Sequence, residues 1–133
     1  MPVELVRSPS LADAPYAYAA IAPAGARIVG LAGACPLDAE GNTVEGSFEE
    51  QTRAAFDNLV AALDAAGATV ADILATRLLV STTRREDLLS AWNVFRAAMG
   101  DHDAPSTLVG VTVLGYPGQL VEIEATAAVA SSS

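Results

Sequence analysis

Residues 104–129 read APSTLVGVTVLGYPGQLVEIEATAAV and are the most informative part of the sequence. Two apolar, strand-like runs flank a turn that contains Gly and Pro, which predicts two strands. Side chains two positions apart on a strand point to the same face of the sheet. The second strand therefore carries Glu122, Glu124 and Thr126 on one face. Its other face is apolar and carries Val121, Ile123, Ala125 and Ala127.

The composition is that of a globular protein. The chain has 133 residues, of which 52% are hydrophobic, and this length predicts one domain over residues 1–133 with a sizeable core. Much of the apolar content is alanine, which buries little area per residue. The core must therefore depend on Leu, Val, Ile and the few aromatic residues.

The charge balance indicates which partners to expect. Sixteen acidic residues stand against seven arginines, with a net charge of −9, so the average field repels nucleic acid and we expect no nucleic-acid partner. The single cysteine, Cys35, cannot form a disulfide within the chain. No signal segment and no apolar run of about 20 residues is present, so we expect a cytoplasmic protein without a membrane partner.

The periodicity along the chain predicts the element order β-β-β-α-β-α-β-β. A short strand at residues 3–7 precedes a hairpin formed by residues 16–22 and 27–32, joined by a turn at residues 23–26. A further strand is predicted at residues 75–81, and residues 131–133 are expected to fray.

Two amphipathic helices interrupt the strands. Ser47 and Glu50 form a capping-box pattern at the start of the first helix, and Thr83 and Glu86 repeat it where the second helix begins. The second helix is predicted over residues 83–99. The apolar stripes of the two helices consist of Phe48, Ala55, Phe56, Leu59 and Leu63, and of Leu88, Trp92, Phe95 and Met99.

The number of helices limits how the sheet is covered. Two helices with one apolar stripe each can cover only one face of a six-stranded sheet. Residues 109–114 are apolar on both faces of their strand. We therefore expect the second face of the sheet to pack against other copies of the chain.

Several short motifs recur in an order and spacing that resemble one known family. They are Pro15-Tyr16, GLAGACP at residues 30–36, QTRAAFDNL at 51–59, AAG at 65–67 with Asp72-Ile73, Trp92-Asn93, VGV at 109–111 and VEIEA at 121–125. Together they resemble the Rid/YjgF family of reactive-intermediate deaminases along nearly the whole chain.

The resemblance implies a fold and an activity. The fold is α+β and chorismate-mutase-like, a six-stranded mixed sheet with two helices on one face, assembled as a homotrimer with ligand clefts between neighbouring subunits. Members of the family hydrolyse small enamines and imines to a keto compound and ammonia. They need no metal and no organic cofactor.

The resemblance also implies roles for individual residues. The glutamate that holds or polarises the attacking water corresponds to Glu122. The substrate-binding positions correspond to Tyr16, Gly33, Asn93, Ser106 and Leu108.

Ser106 departs from the family pattern. Deaminase members carry an arginine there that clamps the substrate carboxylate, and each such charge-assisted hydrogen bond contributes about 1.5–3 kcal/mol. A serine offers one neutral donor, so an arginine-lacking member is expected to act on a substrate less anionic than 2-aminoacrylate. The arginines that could take over this role are Arg27, Arg77 and Arg96.

The sequence allows two interpretations for each of several residues. Glu122 could be a solvated or structural carboxylate instead of a catalytic group, and Glu124 on the same face is more often structural. Cys35 could be a small buried thiol or a nucleophile, and His102, between two aspartates, could be exposed or a metal ligand. The tyrosine at position 16 could border the cleft or only pack its ring.

Two functions from different classes follow. One is hydrolysis of a small imine or enamine, in which Glu122 positions water and backbone groups near Gly33 and Leu108 polarise the substrate. The alternative is a non-catalytic trimer that binds a small metabolite, or has a stress-related role, through the same cleft. A ribonuclease activity, ascribed to some relatives, is disfavoured by the acidic balance and the single histidine.

Overall fold

A computed structural model describes residues 2–131, so the fraying expected at residues 132 and 133 lies outside the described part. Its elements follow the predicted order β-β-β-α-β-α-β-β, with a short 3₁₀ turn at Val70–Asp72 before the fourth strand. The elements are β1 (Glu4–Val6), β2 (Ala19–Ile21), β3 (Arg27–Gly30), α1 (Phe48–Ala65), β4 (Ile73–Ser81), α2 (Arg85–Met99), β5 (Ser106–Val111) and β6 (Val121–Val129).

The strands form two sheets instead of one. The main sheet is mixed and has the order β3-β6-β4-β5, in which β6 runs antiparallel to both neighbours and β5 runs parallel to β4. The second sheet pairs β1 with β2. The predicted α+β class is confirmed, and the expected six strands are divided four and two.

The predicted hairpin between β2 and β3 is wrong. The turn at residues 23–26 forms, with the amide of Ala26 donating to the carbonyl of Pro23 at 3.0 Å, but β2 pairs with β1. The long β6 offers β3 a ladder in which Val29 lies opposite the buried Ala127. Because this pairing joins β3 to the main core, it prevails over the local hairpin.

Helix α1 begins as the sequence predicts. The Ser47 hydroxyl accepts from the amide of Glu50 at 3.1 Å, and the Glu50 carboxylate accepts from the amide of Ser47 at 3.0 Å. After the helix, Gly67 has a φ of 76°, a left-handed conformation that glycine adopts without strain.

Helix α2 does not use the predicted cap at Thr83. It begins two residues later, and its N-cap residue Arg84 has no side-chain cap. The hydroxyl of Thr82 instead accepts from the amide of Arg84 at 3.0 Å and donates to the Asp87 carboxylate at 2.6 Å. Because the Thr82 hydroxyl already bonds groups of this first turn, the helix begins without a cap from Thr83.

Both helices cover the same face of the main sheet, as predicted. Their buried side chains meet the apolar face of β4 and β6 in one core, while the other sheet face carries no helix within residues 2–131. No helix in this part of the chain is long and apolar enough to cross a membrane. The core includes Phe56, Leu59, Leu63, Phe95, Leu78, Val80, Val121 and Ile123.

Candidate functional site

Glu122 lies on the sheet face that the helices leave uncovered. Its neighbours Val121 and Ile123 are fully buried against the helices, so alternation along β6 turns Glu122 to the other side. Leu79 of β4 lies opposite it, and the side chain of Glu122 is half-buried. The carboxylate is therefore partly shielded from solvent without being enclosed.

A loop after β3 extends the sheet beside Glu122. The amide and carbonyl of Ala34 both bond to Ile123, at 2.7 and 3.0 Å, in an antiparallel bridge. This register sets Cys35 opposite Glu122, at a non-hydrogen-bonded pair position where facing side chains lie closest. The bridge thus brings together Cys35 and Glu122, which are 87 positions apart in the chain.

Two neutral donors hold one oxygen of the carboxylate. The Cys35 thiol donates to Oε1 of Glu122 at 3.3 Å, and the side-chain amide of Gln119 donates to the same oxygen at 3.2 Å. Among the described residues no hydrogen bond reaches Oε2. This second oxygen remains available to a water molecule or a ligand.

Gly33 provides the space that the carboxylate occupies. A β-carbon at this position would lie 2.8 Å from Cδ of Glu122 and would collide with Oε2. Only glycine allows Glu122 to lie in this position, and the structure places these two candidate residues in contact.

Gln51 on α1 fixes the loop that carries Gln119. Its side chain is buried, with 2% exposed, and its amide donates to the carbonyls of Gly118 and Val44 at 2.9 and 3.0 Å. Its oxygen accepts from the amide of Leu120 at 2.7 Å. The donor and the acceptor of the Gln51 side chain thus both hold the backbone on either side of Gln119.

Asn58 on the same helix fixes the loop that carries Cys35. Its side-chain amide donates to the carbonyls of Cys35 and Leu37 at 2.8 and 2.9 Å. Helix α1 therefore positions both loops from which the Glu122 carboxylate receives its hydrogen bonds.

The thiol of Cys35 is held in its neutral form. Burial is the main cause that raises its pKa from 9.0 to about 11, and the hydrogen bond and negative charge of Glu122 raise it further, while Gln119 opposes them. A thiol with this pKa is protonated near neutral pH and is a poor nucleophile. Cys35 is a hydrogen-bond donor in this site.

Glu124 has a different environment from Glu122. Its Oε1 accepts from the Arg77 guanidinium at 3.0 Å, across the β4–β6 ladder, and the two side chains are 42% and 55% exposed. An exposed pair of this kind contributes little to stability. Arg77, one of the three arginines considered as substitutes for the missing clamp, is thus already paired.

Ser106 and Leu108 face the helices, on the opposite side of the sheet from Glu122. Ser106 lies opposite Thr76 in the β4–β5 ladder, and its hydroxyl bonds the Thr76 hydroxyl at 2.7 Å and the carbonyl of Ala104 at 2.9 Å. Leu108 lies opposite Leu78 and packs against the core. One copy of the chain therefore does not bring these two residues to Glu122.

Tyr16 and Asn93 also lie away from Glu122, next to helix α2. The ring of Tyr16 packs edge-on against Trp92, with ring centroids 6.4 Å apart, and against Tyr18 at 5.7 Å. Asn93 follows Trp92 on α2 and is exposed. The predicted residues thus form two groups within the chain, one around Glu122 and one around α2 and the start of β5.

The remaining candidate residues lie in different parts of the fold. Arg96 is exposed on α2, one turn after Asn93, and Arg27 lies at the start of β3 opposite Val129. A ring nitrogen of His102 bonds the carbonyl of Ile73 at 2.8 Å. Among residues 2–131 no three His, Cys, Asp or Glu side chains cluster closely enough to bind a metal ion.

Comparison with known proteins agrees with the fold and the motifs. The model of the family described as endoribonuclease L-PSP matches residues 8–129. The structure of Rv2704 from Mycobacterium tuberculosis, a member of the YjgF/YER057c/UK114 family, is 32% identical, with a TM-score of 0.65 and coverage of 96% of this chain and 99% of that one. The chain belongs to the Rid/YjgF family.

Other solved structures resemble this Rid/YjgF protein over their full length. The Rid protein YyfB from Yersinia pestis, described as a protein of unknown function, is 28% identical with a TM-score of 0.87, and 97% of this chain covers 100% of that one. A putative endoribonuclease from Thermotoga maritima is 25% identical with a TM-score of 0.71, covering 98% of each chain. A search of the curated proteins finds no match.

Sequence reasoning missed three polar residues that build the site of this Rid/YjgF protein. Gln51 had a detectable signal, because it lies four and eight positions before Ala55 and Leu59 on the apolar stripe of α1. Asn58 lies within the QTRAAFDNL motif at residues 51–59, but the sequence does not indicate which groups its side chain bonds. Gln119 had no signal, since its contact with Glu122 depends on the conformation of the turn before β6.

Proposed function

We propose that this Rid/YjgF protein hydrolyses a small reactive imine or enamine, with Glu122 holding the attacking water. One observation carries the proposal. Oε1 of Glu122 is held by Cys35 and Gln119, and Oε2 is left without a described partner above Gly33. A carboxylate held in this way has one oxygen placed to accept a proton from water.

The proposed reaction needs proton transfers, one addition and one C–N cleavage, and an enamine enters it as its imine tautomer. Glu122 accepts a proton from water as the water oxygen bonds to the C=N carbon, and this proton passes to the nitrogen to give a neutral carbinolamine. Glu122 then takes the hydroxyl proton and delivers it to the nitrogen as the C–N bond breaks, so that ammonia leaves with a carbonyl product and Glu122 is again ionised. Backbone groups near Gly33 and Leu108 are proposed to polarise the substrate, and no cofactor takes part.

The proposed cleft lies between two copies of a homotrimer. The residues around α2 and β5 lie apart from Glu122 within one chain, so a neighbouring copy is required to complete the cleft. In this arrangement Glu122 and Gly33 of one copy face the other group of substrate-binding residues of the next. That second group consists of Tyr16, Asn93, Ser106 and Leu108.

The substrate is proposed to be less anionic than 2-aminoacrylate. The hydroxyl of Ser106 is engaged with Thr76 and the carbonyl of Ala104, so it makes no strong anion clamp. An acidic chain without a guanidinium at this position disfavours a negatively charged ligand. The same balance supports a small-molecule ligand over a nucleic acid.

The test is ammonia release from imines generated in the assay. We expect Glu122→Gln to lower the rate about 10²–10⁴-fold, the usual contribution of a general base. Glu40→Gln removes the same charge at an exposed position outside the site and should retain most of the activity. A wild-type rate equal to buffer on both neutral and anionic imines would exclude the hydrolase.

A second variant tests the missing clamp. Ser106→Arg places a guanidinium where deaminase members have one, and it should raise the rate on 2-aminoacrylate relative to a neutral imine. Ser106→Ala is the matched control, because it removes the hydroxyl without adding charge. Equal rates of the two variants on 2-aminoacrylate would show that position 106 does not contact the substrate.

A further inference from the structure

We infer that the Glu122 site selects small organic cations of the iminium class, because the donors that hold its carboxylate among residues 2–131 are all neutral. The reaction assigned to such a cation rests on the proposed function, whereas the preference for a positive charge can be measured without any turnover.

The groups in contact with the carboxylate carry no charge. The Cys35 thiol is neutral at physiological pH, because burial and the nearby Glu122 raise its pKa to about 11. The side chain of Gln119 is an amide and does not titrate. Together they orient the carboxylate of Glu122 and leave its negative charge uncompensated.

Strands β4 and β5 supply no free cation to Glu122. On β4 the facing residue is Leu79, and Val109 of β5 follows in the same row. The Arg77 guanidinium on this face is paired with Glu124 at 3.0 Å. A half-buried carboxylate beside apolar side chains attracts a cation more strongly than one in water does.

The chemistry of imines fits this charge. A protonated iminium carries the positive charge that the site lacks, and its carbon is more electrophilic than that of the neutral imine. Water adds to that carbon as Oε2 of Glu122 accepts a proton, and this proton then passes to the nitrogen. The hydroxyl proton moves to Glu122 as the C–N bond breaks, and the released ammonia takes it up, so the products are a carbonyl compound and an ammonium ion. The balance is one iminium and one water consumed, with the charge retained on nitrogen.

Three isosteric probes test the preference directly. Acetamidinium, acetamide and acetate have the same shape and carry charges of +1, 0 and −1. They are titrated into the full-length protein, and binding is followed by NMR shifts of the backbone amides of Gly33 and Glu122. A charge-assisted contact should make acetamidinium bind at least about tenfold more tightly than acetate.

Two variants test whether the preference for a positively charged probe depends on Glu122. Glu122→Gln should remove it, and Glu40→Gln, which removes the same charge at an exposed position outside the site, should retain it. Equal affinity for the three probes, or no binding of acetamidinium, would overturn the inference, as would a preference that survives in Glu122→Gln. A preference that depends on Glu122 without any imine hydrolysis would support this inference and contradict the proposed reaction.

Discussion

The carboxylate of Glu122 lies against the α-carbon of Gly33, in the volume that a β-carbon would occupy. This contact joins the loop after β3 to the middle of β6, and it depends on the absence of a side chain at position 33. The atoms in conflict belong to the end of a flexible side chain, so the conflict can be relieved by moving the carboxylate. A side chain at position 33 should therefore displace the Glu122 carboxylate without disrupting the fold.

Gly33→Ala should lower imine hydrolysis about 10²-fold, because a displacement of about 1 Å can cost a catalytic group that much. The free energy of unfolding should change by less than about 1 kcal/mol, since the end of Glu122 can move aside. Activity assays and denaturant titration give the two quantities. Gly30→Ala is the matched control, because a β-carbon there meets no atom within 4 Å. Loss of activity in both variants would contradict this explanation.

The single thiol of the chain reports directly on Glu122. The rate of alkylation of Cys35 should rise with pH along a titration with a pKa of about 11. In Glu122→Gln the pKa should fall, because the hydrogen bond and the negative charge both disfavour the thiolate. It should stay above 9.0, since burial is the larger cause and remains. An unchanged titration would show that the two side chains do not interact in solution.

The same thiol should make stability depend on pH. The pKa is raised in the folded state, so above about pH 9 the unfolded chain loses this proton first. The free energy of unfolding should therefore fall as pH rises from 9 towards 11, and the Cys35 contribution should be complete below pH 9. Chemical denaturation of wild type and Cys35→Ala across this range measures the contribution. Parallel curves for the two proteins would contradict it.

The sequence predicts the elements of this fold better than their pairing. The alternation in β6 identifies its buried and exposed faces, and the Ser47 cap marks the start of α1, because both are local patterns. The partner of β3 is not local, and the expected hairpin with β2 fails because β6 provides a better buried ladder. Periodicity indicates which face is buried without indicating which strand lies next to it.

In the candidate site too, local motifs identify residues, whereas contacts between distant segments are not predicted. Glu122 and Gly33 are found from motifs, and the structure brings them together. The bonds from Cys35 and Gln119 could not be predicted, because they arise from a bridge between residues 34 and 123 and from the fold of one turn. The hydrogen bonds of Ser106 with Thr76 likewise depend on the β4–β5 register.

Gln51 should be essential for the loop before β6. Gln51→Leu keeps an apolar body of similar size but leaves the amide of Leu120 and two carbonyls without partners. A buried polar group without a partner costs roughly 1–3 kcal/mol, so we expect a loss of about 3 kcal/mol in the free energy of unfolding. Arg53→Leu adds the same side chain on the exposed face of α1 and should change stability by less than about 1 kcal/mol. Equal stability of Gln51→Leu and wild type would contradict this role.

Leu79 tests the assembly that the proposed cleft requires. It is half-buried on the uncovered face, directly opposite Glu122 in the β4–β6 ladder. Leu79→Glu would bring a second carboxylate into a packed seam between copies, where like charges repel and desolvation is costly. Wild type should sediment as a trimer at micromolar concentration, and Leu79→Glu should shift to monomer and lose activity. Val60→Glu introduces the same carboxylate at an exposed position of α1 and should remain trimeric. If wild type were a monomer, or if Leu79→Glu stayed trimeric, the uncovered face would not be the seam and the cleft would have to be sought elsewhere.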